Sequence, residues 1–139
     1  MKVVLVTGGF DPIHSGHIQY FNEAKKLGDK LIVGLNSDHW LTRKKGAPFM
    51  NLKNRAIIIQ SLNMVDEVIM YNDEDDTSCH AIEQVLHHHE EVIFANGGDR
   101  IILNVPEYER FKDDERVKFV CNVGGDKTES SSWLLDKWK

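Results

Sequence analysis

Short apolar runs alternate along this chain with longer amphipathic stretches, and this alternation constrains the fold more than any other feature. Strand-like runs that alternate with helical stretches are typical of βαβ units, whose strands lie parallel in one sheet. We therefore predict an α/β fold built on a five-stranded parallel sheet with helices on both faces. The runs interpreted as strands are VVLV (3–6), LIVGL (31–35), EVIMY (67–71), EVIFA (91–95) and VKFVCNV (117–123).

The segments between these runs carry helix signals, namely apolar residues at helical spacing, polar N-caps and a glycine or proline at the ends. Together they predict one Rossmann-like domain over residues 1–139. The basic stretch TRKKGAPF (42–49) is predicted as a loop because it contains Gly46 and Pro48, and NDEDDTS (72–78) is predicted as a solvated acidic loop with no chemical role. The predicted helices are 16–27, 51–62 with Asn51 as cap, 77–88 capped by Thr77 or Ser78, one from Pro106, and one in SSSWLLDKW (130–138).

Charge and cysteine usage restrict the partners that we expect. The formal net charge is −5 at pH 7, whereas a nucleic-acid partner usually requires a basic face. The N-terminal apolar run is too short for a signal peptide or a membrane span. Cys79 and Cys121 form no CxxC pair and are typical of thiols in a reducing compartment. We therefore expect a cytoplasmic protein with neither a nucleic-acid nor a membrane partner.

The stretch GGFDPIHSGH (8–17) lies where an open parallel sheet binds ligands, between the first strand and the first helix. This position favours a phosphate site, although no GxGxxG follows a strand and GGDKT (124–128) lacks the Gly-Lys-Ser/Thr of a P-loop. Gly8 and Gly9 allow close approach of the backbone to an anion. The amides of the helix that begins near Gly16 add the helix dipole behind it.

His14 and His17 are the candidate catalytic residues of this stretch. Their ring N–H groups can point at one ligand and stabilise negative charge that grows on a phosphate during displacement. Two other interpretations stay open on the residues alone. The pair can belong to a capped turn with one ring packed and one exposed, or to a metal site completed by Asp11.

The motif HSGH within residues 8–17 resembles the HxGH motif of the nucleotidyltransferase superfamily, in its cytidylyltransferase-like branch. Residues 8–38 look like the start of glycerol-3-phosphate cytidylyltransferases and heptose-1-phosphate adenylyltransferases. KKGAPFMNLKNRAIIIQSLNMVDEVI (44–69) is similar to the family's lysine-bearing loop and the segment after it, and NGGD (96–99) is similar to its GGD turn. The resemblance covers nearly the whole chain, and ordered blocks are more specific than a lone HxGH.

The resemblance implies that a nucleoside triphosphate loses pyrophosphate to a phosphorylated alcohol or sugar. His14 and His17 would then contact the triphosphate, and Gly16 between them would leave room for the phosphates. Phe10 and Asp11 would shape the nucleotide pocket, Asp11 acting through Mg²⁺ and water. Lys44 would hold the phosphates of both substrates together against their repulsion.

The resemblance also places an arginine and a turn at the nucleotide. Arg55 lies in a helical apolar pattern, where it is either a surface side chain with a buried stem or, as the resemblance implies, a pocket residue or structural anchor. We include it among the nucleotide-binding residues. Gly98 and Asp99 form the GGD-like turn, and Asp99 is similar to the residue that faces the nucleoside.

The last part of the chain resembles the family's closing motif with one departure. Ser130, Ser131 and Ser132 can cap the last helix, and the resemblance implies that they also bind the β- and γ-phosphates. Many relatives have an arginine in an RTxGIS-like motif, whereas this sequence reads GGDKTESSS (124–132). Lys127 either substitutes for that arginine or the contact is lost.

The sequence leaves the substrates open. NSD (36–38) and NGGD favour an adenylyltransferase that makes an ADP-heptose-type product from ATP, with a CTP-dependent glycerol-3-phosphate cytidylyltransferase as the alternative. The resemblance further implies Mg²⁺ as cofactor and a homodimer. A non-catalytic nucleotide-binding module is a rival interpretation. The core of a class I aminoacyl-tRNA synthetase is another, which the length and the charge disfavour.

Overall fold

Five parallel strands form the centre of the fold, as the apolar runs predicted. The structure, a computed structural model, describes residues 1–98 and 102–124. The strand order is β3-β2-β1-β4-β5, and all four pairings are parallel. The strands are β1 (Val3–Gly8), β2 (Lys30–Leu35), β3 (Glu67–Met70), β4 (Val92–Gly97) and β5 (Val117–Val123).

Helices cover both faces of this sheet, which confirms the predicted Rossmann-like α/β architecture. Phe21 and Ile59, from the first and third helices, pack with Val4 and Val6 on one face, and Ile82 and Phe111, from the fourth and fifth, belong to the core on the other. The helices are α1 (Ser15–Lys25), α2 (Asp38–Lys45), α3 (Leu52–Gln60), α4 (Cys79–Leu86) and α5 (Pro106–Phe111), and a short 3₁₀ turn covers Ile102–Asn104.

The strand order reverses direction at β1, and this determines where a ligand binds. From β1 the chain proceeds outward to β2 and β3 on one side, then returns to pair β4 with β1 through Val4–Ile93 and Leu5–Phe94. Ligands of open α/β sheets bind outside the carboxyl ends of the strands at such a reversal. The loops that follow β1 and β4 are therefore the ones that border the candidate site.

Three of the predicted helix starts agree with the structure. Asn51 caps α3, because its Oδ1 accepts the Asn54 N–H at 2.9 Å, and Pro106 occupies the first turn of α5. At the start of α4, Thr77 Oγ1 accepts the Cys79 N–H at 3.2 Å. Ser78 directly precedes the helix, but its side chain makes no capping bond. Its hydroxyl lies instead 2.7 Å from Thr7 Oγ1 on the sheet. The predicted helix at 130–138 lies outside the described residues.

The loop predicted over residues 42–49 is wrong in its first half, because residues 42–45 belong to α2. Ser37 caps this helix by accepting the Trp40 N–H on Oγ at 3.0 Å. The basic residues of its last turn interact favourably with the negative end of the helix dipole. Gly46, at φ 91°, ends the helix in a conformation that favours glycine. Within the described part of the chain, no helix is long and apolar enough to cross a membrane.

Candidate active site

The two histidines of the HxGH motif lie together at the start of α1. His14 is the N-cap, and its Nδ1 accepts the Gly16 N–H at 3.1 Å. His17 Nδ1 accepts the backbone N–H of His14 at 3.2 Å. The rings stack with their centroids 3.8 Å apart and their planes 25° from parallel. Because both Nδ1 atoms accept backbone N–H groups, the neutral form of each ring would carry its proton on Nε2, and the His14 Nε2 atom is buried.

Packing against neighbouring rings holds these histidines in place. The buried ring of Phe10 meets His17 edge-on at 4.9 Å and Phe21 at 5.0 Å. A Cβ at Gly16 would lie 2.9 Å from His14 Cε1, and a Cβ at Gly8 would lie 2.9 Å from Phe10 Cζ. In the structure, the space that these glycines leave is therefore occupied by rings of the protein itself.

Asp11 connects the histidine loop to the segment between α2 and α3. The residue is 1% exposed. Its two carboxylate oxygens accept the N–H groups of Phe49 and Met50, both at 2.6 Å. Lys45 Nζ donates to the Asp11 carbonyl oxygen at 2.6 Å and lies 4.0 Å from Oδ2. These contacts give Asp11 a structural role, and its action on Mg²⁺ stays a prediction.

The three basic residues of α2 have three different environments. Arg43 donates to the Asp73 carbonyl oxygen and pairs with the Asp76 carboxylate, both at 3.0 Å. Lys45 contacts Asp11, as described above. Lys44 is exposed, and its Nζ lies 5.4 Å from the centroid of the Trp40 ring. Of the three, Lys44 is therefore the cation that can turn toward a substrate without breaking an ion pair of the described residues.

The start of α2 packs directly against the glycine loop. A Cβ at Gly9 would lie 2.9 Å from Leu41 Cδ2 and 3.9 Å from Trp40 Cζ3. A side chain at position 9 would therefore push the Leu41 side chain aside. The contact brings α2, and Lys44 on its last turn, to the edge of the sheet where the histidines lie.

Arg55 is an anchor and is not a surface side chain, which decides between the two interpretations of its sequence. The residue is 1% exposed. Its guanidinium donates to the carbonyl oxygens of Met50 at 3.0 Å, Gly9 at 3.0 Å and Asn36 at 2.8 Å. It also pairs with the Asp38 carboxylate at 2.7 Å. With these contacts it holds the loops that surround the site, and direct binding of nucleotide stays a prediction.

The acidic segment 72–78 is not uniformly solvated, contrary to the sequence prediction, because Asp73 is 3% exposed. Its carboxylate accepts hydrogen bonds from the Ser37 N–H at 2.8 Å, from Ser37 Oγ at 2.8 Å and from Asn36 Nδ2 at 3.1 Å. Asp73 thus fixes the turn that starts α2. The signal that sequence reasoning missed is the position of Asn36 and Asp73 just after two neighbouring strands.

The end of β4 is joined to α1 through Tyr20. The Tyr20 hydroxyl donates to the Ala95 carbonyl oxygen. A Cβ at Gly97 would lie 3.2 Å from Tyr20 Cδ1, so the Tyr20 ring packs closely against this glycine. Gly98 follows at φ 72°. The structure therefore brings the start of the GGD-like turn beside the histidine helix.

Comparison with known proteins agrees with this arrangement of motifs. Residues 5–130 match the model of the cytidylyltransferase-like family. The chain belongs to the cytidylyltransferase-like family of nucleotidyltransferases.

Curated relatives of this nucleotidyltransferase include two proteins named bifunctional protein HldE. The protein of Haemophilus influenzae strain PittGG is 39% identical over 119 residues, which are 74% of this chain and 25% of that protein. The protein of Helicobacter acinonychis is 35% identical over 140 residues, which are 99% of this chain and 28% of that protein. The chain thus spans about a quarter of the length of these relatives.

A solved structure supports the fold. The lipopolysaccharide core biosynthesis protein of Thermoplasma volcanium superposes with a TM-score of 0.69 at 29% identity, covering 88% of this chain and 96% of that one. In this nucleotidyltransferase, the two sequence blocks at 8–38 and 44–69 lie at one edge of the sheet, and Gly98 lies at the same edge. The other predicted site residues, Asp99, Lys127, Ser130, Ser131 and Ser132, lie outside the described residues.

Proposed function

We propose that the chain transfers a nucleoside monophosphate from ATP or CTP to the phosphate of a phosphorylated sugar or polyol and releases pyrophosphate. An oxygen of the acceptor phosphate forms a bond to the α-phosphorus of the triphosphate. The bond from that phosphorus to the bridging oxygen breaks, and pyrophosphate leaves with the electron pair. The observation that carries this proposal is the stacked pair His14–His17 at the N-terminus of α1, with both Nδ1 atoms accepting backbone N–H groups.

The histidines would act by electrostatic stabilisation. Negative charge moves toward the leaving pyrophosphate during the displacement, and donors that are already oriented stabilise it without further reorganisation. The bonds at Nδ1 fix both rings, so that each proton is on Nε2. The N-terminus of α1 adds its dipole, which favours an anion. No covalent intermediate on the protein is needed.

Lys44 would bring the two phosphates together. Its position at the end of α2, beside the glycine loop, allows its flexible side chain to turn from Trp40 toward ligands at the sheet edge. A compact ammonium group can contact oxygens of both substrates and offset their repulsion. The hydrogen bonds of Arg43 and Lys45 would keep α2 in place while the Lys44 side chain moves toward the ligands.

Mg²⁺ would enter with the triphosphate, whose oxygens are its usual ligands, and neutralise part of the phosphate charge. The residues that the structure describes contain no group of three or more His, Cys, Asp or Glu side chains that could hold a metal. Both Asp11 oxygens accept backbone N–H groups. The described side chains therefore do not form a dedicated metal site, and no step is assigned to an ion held by the protein.

We favour ATP and a heptose-1-phosphate-type acceptor. The sequence blocks NSD (36–38) and NGGD (96–99) resemble heptose-1-phosphate adenylyltransferases, and the curated relatives named bifunctional protein HldE support this choice. The alternative is a glycerol-3-phosphate cytidylyltransferase type of reaction. Formation of a homodimer, which the family resemblance implies, belongs to the same proposal and is checked by light scattering.

Pyrophosphate release tests the proposed reaction. The purified chain is incubated with Mg²⁺ and each of the four nucleoside triphosphates, together with heptose 1-phosphate, glycerol 3-phosphate or their unphosphorylated forms. We expect release only with a phosphorylated acceptor, and most of it with ATP and heptose 1-phosphate. Binding of nucleotide without release under any of these conditions would favour a non-catalytic nucleotide-binding module instead.

A further inference from the structure

A group of buried polar side chains lies at the carboxyl edge of the sheet, on the face that α4 and α5 cover. The Ser78 hydroxyl lies 2.7 Å from Thr7 Oγ1 and 3.2 Å from the Tyr71 hydroxyl. Asn36 Nδ2 donates to the Tyr71 hydroxyl at 3.1 Å. A Cβ at Gly34 would lie 3.0 Å from Thr7 Cγ2 and 3.1 Å from Tyr71 Cε1, so these two side chains converge over a glycine. The proposed function assigns no role to this group.

Asn96 borders this group and carries a buried donor. The residue is 8% exposed, and its Nδ2 has no hydrogen-bond partner among residues 1–98 and 102–124. Side chains two residues apart on a strand share a face. Asn96 therefore lies on the same face of the sheet as Phe94, and Thr7 lies on the same face as Leu5. Leu5 and Phe94 are paired across the two strands and belong to the same core. If the pairing of Leu5 with Phe94 is continued by two residues on each strand, Thr7 and Asn96 would lie side by side on β1 and β4.

A buried amide without a partner reduces stability, and proteins usually satisfy such groups. Asn96 lies at the edge of the sheet where the strand order reverses and ligands bind. Thr7 directly precedes the glycine–histidine loop of the active site. A substrate held by that loop would lie beside the ends of β1 and β4, and the Asn96 side chain would turn toward it, because its Nδ2 atom is buried. The unused donor is explained if a ligand supplies the missing acceptor.

The charges around the neighbouring Ser78–Tyr71 group favour a neutral ligand atom over a phosphate. Burial raises the pKa of Tyr71 to about 12, and the negative charges of Asp73 and Glu107 contribute to this rise. Glu107 is itself buried, and its Oε2 accepts the Ser78 N–H at 2.8 Å. Buried carboxylates on this side repel an anion but not a hydroxyl group. Amide and hydroxyl side chains are suitable partners for a hydroxyl, which can both accept and donate.

We propose that Asn96, at the end of β4, binds a hydroxyl group of the acceptor substrate and so selects for acceptors that carry this hydroxyl. The inference rests on the proposed nucleotidyl transfer, because it specifies the second substrate of the same site. The acceptor's phosphate lies toward Lys44 and the histidines, and its hydroxyl-bearing carbons lie toward the face of α4. A site built to hydrogen-bond a hydroxyl discriminates strongly against analogues that lack it.

Kinetics with the variant Asn96→Leu and matched acceptors tests this contact. Asn63→Leu, in an exposed turn, is the control. The acceptors are mannose 1-phosphate, its monodeoxy analogues and methyl phosphate, which has no hydroxyl. For the hydroxylated acceptor we expect Asn96→Leu to lower kcat/KM by about 10- to 100-fold, the effect of one lost hydrogen bond with a buried group. The deoxy analogue that lacks the contacted hydroxyl should give the same kcat/KM with the wild type and with the variant. An equal loss with methyl phosphate, or no loss with any acceptor, would overturn the proposal.

Stability and binding distinguish this proposal from a structural role and from a failure of the proposed reaction. We expect the Tm of Asn96→Leu to equal or exceed that of the wild type, since the variant removes a buried donor without a described partner. A clear fall in Tm in both Asn96→Leu and Asn96→Ala would make Asn96 structural.

Mannose 1-phosphate is also titrated calorimetrically in the presence of a non-hydrolysable ATP analogue. Tighter binding to the wild type than to Asn96→Leu would support this contact even if no pyrophosphate is released. Absence of pyrophosphate release would refute only the proposed reaction. Equal binding or none overturns the contact.

Discussion

At the scale of single residues, the proposed reaction would give His14 two tasks on two nitrogens. Nδ1 accepts the Gly16 N–H and caps α1, and the proposed reaction uses the proton on Nε2. Both rings are partly buried and stacked, which contradicts the capped turn with one packed and one exposed ring, but the cap itself is observed and leaves two roles to reconcile, capping and catalysis. The two are compatible, because the cap orients the ring that the reaction would use.

Substitution of His14 can separate these two tasks. Asparagine is a good N-cap, whereas alanine is not. We expect His14→Asn to retain a Tm near that of the wild type and to lower kcat by on the order of 10²-fold or more, with nucleotide affinity changed less. His14→Ala should show the same loss of kcat and an additional loss of stability of about 1 kcal/mol. The measurements are thermal unfolding and steady-state pyrophosphate release.

His17→Ala provides the complementary measurement, because His17 is not the cap residue. It should reduce kcat by a similar factor of on the order of 10². Full activity of this variant would refute the electrostatic role of the pair.

Asp11 is predicted to stabilise the protein through the amides of Phe49 and Met50. In Asp11→Asn, one carboxylate oxygen is replaced by an NH₂ group that faces a backbone N–H, so one of these buried amides loses its acceptor. We expect a loss of about 1–3 kcal/mol in the free energy of unfolding. Activity should fall as well, because the segment after α2 is no longer held. Urea unfolding measures the first effect.

The Mg²⁺ dependence of that variant is the control for the Asp11 prediction. If Asp11 acted mainly on the metal, its substitution would raise the Mg²⁺ concentration needed for half-maximal activity and leave stability unchanged. Such a result would contradict the structural role.

At the scale of secondary-structure elements, the sequence predicts the sheet better than it predicts α2. The strands are continuous apolar runs, because both faces of a parallel sheet are buried, and this pattern is readable locally. The helix α2 has only Leu41 buried, so its sequence lacks an apolar face, and glycine and proline dominated the interpretation of residues 42–49. Its cap Ser37, followed by Asp38, was the available signal.

Contacts between distant elements explain what the sequence could not give. The motifs placed His14, His17 and Lys44 near one another, because loops after parallel strands meet at one edge. The burial of Arg55 and Asp73 depends on partners 46 and 36 residues away, Gly9 and Ser37 respectively. No local pattern distinguishes such buried charges from exposed ones.

The two neighbouring lysines of α2 provide a matched pair for testing this helix. Lys44→Ala removes an exposed ammonium group and should leave Tm nearly unchanged, while it raises KM for the acceptor and lowers kcat together. Lys45→Ala removes the bond to the Asp11 carbonyl oxygen and should lower Tm, because it loosens the packing of α2 on the glycine loop. Kinetics with the acceptor varied at saturating nucleotide separate the two. Unchanged kcat and KM in Lys44→Ala would assign Lys44 to ordinary surface charge.

At the scale of the whole molecule, three buried charged side chains fix the loops around the site. Arg55 binds the carbonyl oxygens of loops after β1, after β2 and before α3. Asp11 joins the β1 loop to the segment before α3, and Asp73 joins the loops after β2 and β3. The candidate active site is thus preorganised by internal hydrogen bonds.

This internal support leads to a prediction about metals. Dialysis against EDTA should abolish pyrophosphate release, and added Mg²⁺ should restore it, because the ion serves the triphosphate. The same dialysis should leave Tm unchanged, since His14, His17 and Asp11 use ring nitrogens and carboxylate oxygens to accept backbone N–H groups. Elemental analysis should find no stoichiometric zinc. One zinc per chain that resists the chelator, with a fall in Tm when it is finally removed, would instead establish the histidines as metal ligands.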